Sequence, residues 1–322
     1  MSAVSLMDGR TSSSAVSLAE SYAHCARTAR KAASNFYLAF WLLPRDRRRA
    51  TCALYAFLRR SDDIGDDDIG DASVALRRER LSAWRASLDR ALAGEFDDPL
   101  LPALADTVNR YAIPRECLFD ALDGVAMDLV ARRYETADDL REYCYRVASV
   151  VGLACIHIWG FRGKEAFEPA RHCGLAFQWT NILRDLGEDA ARGRVYLPLD
   201  SLRRHDYRPE ELLAGVADDR LSAVLDEQIA IAREHFAAAA PLFSYLSADG
   251  RRALAAMYHT YRDLLDRVAR AGGDVLHRRV RVPTWRKVQL AGKALVARNR
   301  RGDFDRNDRT DCALNRDEAA AP

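Results

Sequence analysis

The chain carries no surplus of charge of either sign. Its 322 residues include 49 Lys and Arg against 47 Asp and Glu, a formal net charge of +2. That leaves no bulk attraction to nucleic acid, so any charged function must come from local clusters. A cysteine framework is missing as well. The seven cysteines (Cys25, Cys52, Cys117, Cys144, Cys155, Cys173, Cys312) are odd in number, scattered, and never spaced as CxxC, which excludes a disulfide scaffold and a zinc site and reads as small core residues in a reducing compartment. No apolar run approaches the roughly 18 residues of a membrane span. The longest candidate, Val147 to Phe161, is interrupted by Ser149 and His157. The opening MSAVSLMDGRTSSSAVS lacks the basic flank and apolar core of a secretion signal, so the expectation is a soluble, cytoplasmic protein. Long Val/Ile/Thr alternation is also lacking, which argues against a sheet.

What is present is helical periodicity. Apolar residues recur at three- and four-residue intervals over Ala50 to Arg60, Val74 to Leu92, Leu118 to Leu129, Leu140 to Gly160, Ala170 to Leu186, Leu221 to Ala240 and Arg251 to Ala271. Breakers such as Pro44, Pro99, Pro114, Pro198, Pro241 and Gly272-Gly273 fall between these stretches. With 49% hydrophobic residues and no shift in composition along the chain, the pattern predicts one all-α domain over residues 17–299, with a substantial core. The Ser/Ala-rich residues 1–16 and the polar residues 300–322 are expected to be disordered.

Chemistry concentrates in two acidic clusters, SDDIGDD from Ser61 and RDLGED from Arg184. Asp62 and Asp66 are four apart, as are Asp185 and Asp189, which on a helix puts each pair on one face about 6 Å apart along the axis. Like charges so placed repel, and two such devices suggest a hard cation, Mg²⁺, bridged to phosphate. An EF-hand is excluded, because a loop opening at Asp62 would close at Ser73, where a glutamate is required. The bland alternative for each cluster is a solvated acidic face. Against it, Gln178, Asn181, Asp185 and Asp189 fall at i, i+3, i+7 and i+11 in an otherwise apolar stretch, a stripe that a helix would bury only with partners. Between the clusters, YCYRVASVVG from Tyr143 to Gly152 is rich in small residues, which suits either tight helix packing or close approach of a ligand chain. His157 reads as a satisfied core histidine, Trp159 and Trp179 as packing residues, and His277 to Arg281 with Arg286 and Lys287 as either a solvated face or a membrane-surface patch.

These residues resemble the squalene/phytoene synthase family, the head-to-head prenyl diphosphate condensing enzymes, from about Tyr22 to Val296. The resemblance rests on ALYAFLRRSDDIGD, GVAMDLVARRY, YCYRVASVVG and GLAFQWTNILRDLGEDAARGRVYLP. It implies an isoprenoid synthase-like helical bundle around a central apolar cavity, acting as a prenyltransferase. It implies that Asp62, Asp63 and Asp66, and Asp185, Glu188 and Asp189, hold Mg²⁺ ions that bind the substrate diphosphates. Arg59, Tyr55, Gln178, Asn181 and Arg184 match positions around those ions, and Tyr143, Tyr261 and Arg279 match positions facing the diphosphates or the carbocation. Tyr143, Arg59, Tyr55, Asp62 and Asp185 are thereby the catalytic candidates, and Phe36, Phe40, Gln178, Asn181, Arg184, Tyr261 and Arg279 the substrate-binding ones.

The chain departs from the family where a serine-rich element usually precedes the first cluster, since it reads Ala33-Ser34-Asn35-Phe36, and Gly65 stands where many members have a larger residue. In an isolated helix Gly65 would cost up to about 1 kcal/mol relative to alanine. Phe40 matches a position that tends to be bulky in the fifteen-carbon branch, whereas the small Cys52 would open room. On that balance two farnesyl diphosphates, giving presqualene diphosphate or squalene, are expected over two geranylgeranyl diphosphates, giving phytoene. NADPH would be required if squalene is the final product. A non-catalytic lipid-binding relative would be expected to have lost the aspartates. A helical scaffold whose acidic stripes bind basic partners would not account for Gln178 and Asn181. Prenyl diphosphates are thus the expected partners. A greasy product implies transient contact with a membrane surface, without an encoded anchor. The sequence leaves the oligomeric state open, a monomer being one of the alternatives.

Overall fold

The computed structural model describes residues 16–32, 36–65, 73–130 and 133–296. Among these residues there is no strand, only an isolated bridge between Phe161 and Leu246. The first half of the chain forms α1 (Leu18–Lys31), the short α2 (Tyr37–Phe40), α3 (Arg45–Gly65), α4 (Val74–Leu92), α5 (Leu101–Tyr111), α6 (Arg115–Asp128), α7 (Ala137–Cys144) and α8 (Val150–Trp159). The second half forms α9 (Phe167–Arg184), α10 (Leu186–Ala191), α11 (Leu199–Arg204), α12 (Pro209–Leu213), α13 (Asp219–Ala239), α14 (Leu242–Tyr245), α15 (Ala248–Ala271) and α16 (Thr284–Val296). The all-α expectation holds. The predicted ends, residues 1–16 and 300–322, lie outside the described residues apart from Val16.

Local chemistry sets the boundaries. Ser17 caps α1 and Thr136 caps α7, each reciprocated by the acid three residues on, Glu20 and Asp139, which satisfies two orphan donors at each start. Gly160 ends α8 and Gly272 ends α15, both at positive φ.

The long periodic stretches appear as helices with two differences. Leu140 to Gly160 is divided, because Tyr145–Ser149 forms a π turn between α7 and α8. The single helix expected over Ala170 to Leu186 stops at Arg184, where Asp185 takes φ −96° and ψ 10°, and α10 then begins.

One apolar core runs from Tyr22 to Ala294. In it α9 is central, packed against α13, α15, α8, α7 and the π turn, while α3 packs against α1, α4, α5, α6 and α8. The small residues around Gly152 turn out to serve both of their readings. A Cβ on Gly174 of α9 would lie 2.5 Å from Ser149 Cα, so this glycine lets α9 lie directly on the π turn. Val147, Ala148, Val151 and Gly152 meanwhile line the internal cavity. Gly65 has a packing reason of the same kind: a Cβ there would meet Val125 Cγ1 at 2.7 Å. The helix propensity lost at Gly65 is thus exchanged for close contact between α3 and α6.

Candidate active site

A cavity of about 360 Å³ lies between α3, α6, the π turn, α8, α9 and α15. Its apolar wall includes Leu54, Val125, Val151, Ile156, Phe177 and Met257. Polar groups enter it from Arg59 and Asp62 at the end of α3, Asp128 at the end of α6, Tyr143 on α7, and Gln178 and Asn181 on α9. Of the polar stripe only the amides line the cavity, Gln178 and Asn181, and Asn181 Nδ2 donates to Gln178 Oε1 at 3.3 Å; Asp185 and Asp189 do not line it. Asn181 Oδ1 is buried with no hydrogen-bond partner among the described residues, an oxygen donor still to be satisfied.

Of the expected site residues, Phe36, Phe40, Tyr55, Arg59, Asp62, Tyr143, Gln178 and Asn181 line this cavity. The second acidic cluster forms a separate group where α9 gives way to α10. The backbone N–H of Asp185 donates to Asn181 O and that of Asp189 to Asp185 O, both at 2.9 Å, so the four-residue spacing survives the break. Asp185 accepts from Arg184 Nε at 2.7 Å and pairs with Arg279 at 3.0 Å. Arg279 also pairs with Glu188 at 2.9 Å. Asp63 pairs with Arg59 at 2.5 Å. Burial, and next the charge of Asp185, pushes Asp189 up to about 7. Asp66 lies outside the described residues.

The donor set suits a hard ion, being oxygen throughout: carboxylates plus the orphaned Asn181 carbonyl. No three His, Cys, Asp or Glu among the described residues converge closely enough to hold a metal by themselves. Any ion there would complete its shell with water and ligand oxygens, as Mg²⁺ ordinarily does.

Two constellations escaped the sequence. In the first, Asp128 accepts from Tyr143 Oη and from Tyr196 Oη, each at 2.9 Å, and the rings of Tyr134, Tyr143 and Tyr196 gather with centroids 5.4 to 6.0 Å apart. Burial first, then the charge of Asp128, holds Tyr143 well above the ordinary phenol range, so the group that donates to Asp128 is a neutral phenol. In the second, Phe36 and Phe177 stack on Tyr261 with centroids at 5.4 and 4.3 Å, which presents aromatic faces near the cavity. Phe177 belongs to the GLAFQWTN motif but had carried no role of its own.

The expected room at Cys52 is taken. Phe40, Cys52 and Ala29 form a satellite core, and Phe40 packs edge-on to Tyr55 with centroids 6.0 Å apart. His157 is half-buried, stacked on Phe167 and edge-on to Phe161, a packing position at the margin of the core. Trp159 and Trp179 are buried packing residues.

The sequence model of the squalene/phytoene synthase family matches residues 29–286. The 15-cis-phytoene synthase of Synechococcus elongatus is 37% identical, over 88% of this chain and 95% of its own. The phytoene synthase of Arthrospira platensis is 36% identical, over 84% of this chain and 90% of its own. Among solved structures, a dehydrosqualene synthase in complex with ligand superposes with a TM-score of 0.75 at 31% identity, covering 86% of this chain and 96% of that one. The squalene synthase HpnC from Alicyclobacillus acidocaldarius gives 0.74 at 28% identity, covering 79% of this chain and 95% of that one.

Proposed function

This chain belongs to the squalene/phytoene synthase family of prenyltransferases, which join prenyl diphosphates head to head, and from that premise we propose that it condenses two geranylgeranyl diphosphates to phytoene. The observation that carries the twenty-carbon reading is the likeness to phytoene synthases over nearly the whole chain. It reverses the preference drawn from Phe40. The fifteen-carbon reading stands second, favoured by the buried Phe40 ring that walls the cavity and by likeness to a dehydrosqualene synthase.

In this reading Asp62 and Asp63 on one side, and Asn181, Asp185, Glu188 and Asp189 on the other, would hold Mg²⁺, with Asp66, outside the described residues, expected to join the first set. The ion supplies neutralisation of the charge that develops on the departing diphosphate. Arg59, Arg184 and Arg279, now paired with the carboxylates, contribute positive charge to the same region. The apolar wall keeps water from the allylic cation, and Phe36, Phe177 and Tyr261 offer ring faces to positive charge. Tyr143, pinned by Asp128, donates its hydrogen bond as a neutral phenol when a ligand oxygen replaces that partner. Proton loss from the intermediate then falls to the released diphosphate. The bond formed joins the two prenyl chains through a cyclopropane that keeps the second diphosphate; departure of that diphosphate, opening of the ring and loss of a second proton then give phytoene.

The test is incubation with Mg²⁺ and either geranylgeranyl or farnesyl diphosphate, with and without NADPH, followed by mass spectrometry of extracted lipid. Phytoene is expected. A thirty-carbon product alone would overturn the proposal in favour of the second reading, with NADPH dependence separating squalene from presqualene diphosphate. Mg²⁺ and pyrophosphate together should raise the melting temperature more than the sum of either alone, because each completes the other's binding. Simple additivity would sink the shared metal–diphosphate site.

A further inference from the structure

Helix α16 is apolar on opposite faces. Inward, Leu290, Ala291 and Ala294 are buried, on a helix that packs against α15 and α2. Outward, Trp285, Val288, Leu295 and Val296 are 65, 54, 56 and 82% exposed. Their spacing of i, i+3, i+10 and i+11 keeps them within roughly 100° of the helix circumference. Trp41, 57% exposed, follows α2, and the Arg48 guanidinium lies 4.4 Å over its ring. A single exposed apolar residue needs no account. Four on one helix, with a fifth at the end of the α2 that this helix touches, are exposed apolar surface of the kind that marks an interaction site.

The charge around this face is one-sided. From His277 to Val296 the described chain holds six Lys and Arg and not one Asp or Glu; two of the six are met by carboxylates of other elements, Arg279 by Asp185 and Glu188 and Arg286 by Asp263. Lys293 sits exposed beside the apolar stripe. An apolar helical stripe with a basic surround complements an anionic bilayer: the rings and aliphatic chains enter the headgroup boundary while the cations remain at the phosphates. Indole and a guanidinium over an indole are side chains that suit that boundary.

We propose that α16, with Trp41, docks this protein on an anionic lipid surface, the helix lying in the plane of the interface. The docking stands whichever prenyl chain the cavity takes, since Trp41, Trp285, Val288, Leu295 and Val296 are not among the residues that line the cavity.

The full chain would be sedimented with vesicles of phosphatidylcholine alone and with vesicles about one third phosphatidylglycerol. Binding to the anionic vesicles is expected to be at least about tenfold stronger and to weaken with salt. The triple variant Trp285→Ser, Val288→Ser, Leu295→Ser should lose about tenfold in partitioning, with unchanged turnover in detergent and an unchanged circular-dichroism melt. Lys293→Glu, at an exposed position, should weaken anionic binding by itself should the triple variant fail to fold. Absence of binding by the wild type, equal binding by the variants, or light scattering that shows a dimer abolished by the triple substitution would each overturn the proposal. The last outcome would assign the face to a second copy.

Discussion

At the scale of single residues, Asp128 and Phe40 carry the sharpest consequences. Asp128 is the common acceptor for two buried phenols. Asp128→Asn substitutes an amide that can accept on one oxygen only, so one tyrosine loses its partner, at a cost of about 1–3 kcal/mol in chemical denaturation. Turnover should fall about tenfold or more as Tyr143 loses its orientation, and unchanged turnover would reduce the cluster to packing. Phe40→Ala removes a buried ring, which costs about 3–5 kcal/mol. If the ring is the wall it is argued to be, a competition assay will show the ratio of twenty- to fifteen-carbon substrate use rising about tenfold. An unmoved ratio would place the wall elsewhere. The aspartate clusters were legible in the sequence because repetition at helical spacing is a local signal. Asp128 was not, because its partners lie 15 and 68 residues away and a lone aspartate in a helical pattern reads as a solvated one.

At the scale of elements, the long helices could be read from their apolar period, and their junctions could not. Periodicity reports which face is buried, and that face continues unbroken through the π turn and through the break at Asp185. What divides these helices is contact with another element. Gly174 illustrates it: a methyl there would press on the backbone of Ser149, which cannot swing aside as a side chain can. Gly174→Ala should therefore lower stability by about 1–3 kcal/mol despite its better helix propensity. Gly292→Ala, with nothing within 4 Å of the added carbon, should raise it by roughly 0.5–1 kcal/mol. Thermal melts of the two variants that moved in the same direction would refute the packing account of Gly174. The short α2 and the amphipathic α1, α5 and α16 were passed over in the sequence, since their apolar positions are few or interleaved with arginines.

At the scale of the whole molecule, α9 and α13 are joined by His172 and His235, whose Nδ1 atoms stand 2.9 Å apart. Burial, then the neighbouring charges of His172 and Arg141, lowers His235 to about 4 from an ordinary value near 6.5. The folded state therefore binds its proton less readily than the unfolded chain. This contribution is intact above about pH 6.5 and is lost as pH falls toward 4, on the order of 3 kcal/mol. Denaturation at pH 7, 5 and 4 should show His235→Phe losing less stability in acid than the wild type, and parallel losses would show that the pair does not titrate. The π turn has a consequence of another kind. It spends one residue more than an α-helix would over the same rise. Removing a single residue there would restore a regular helix while leaving Tyr143 and Gly152 on nearly the faces they now occupy, because the wide turn only absorbs its surplus residue. A one-residue deletion should therefore be tolerated better here than within α9 or α13, where it would turn every following residue by about 100°.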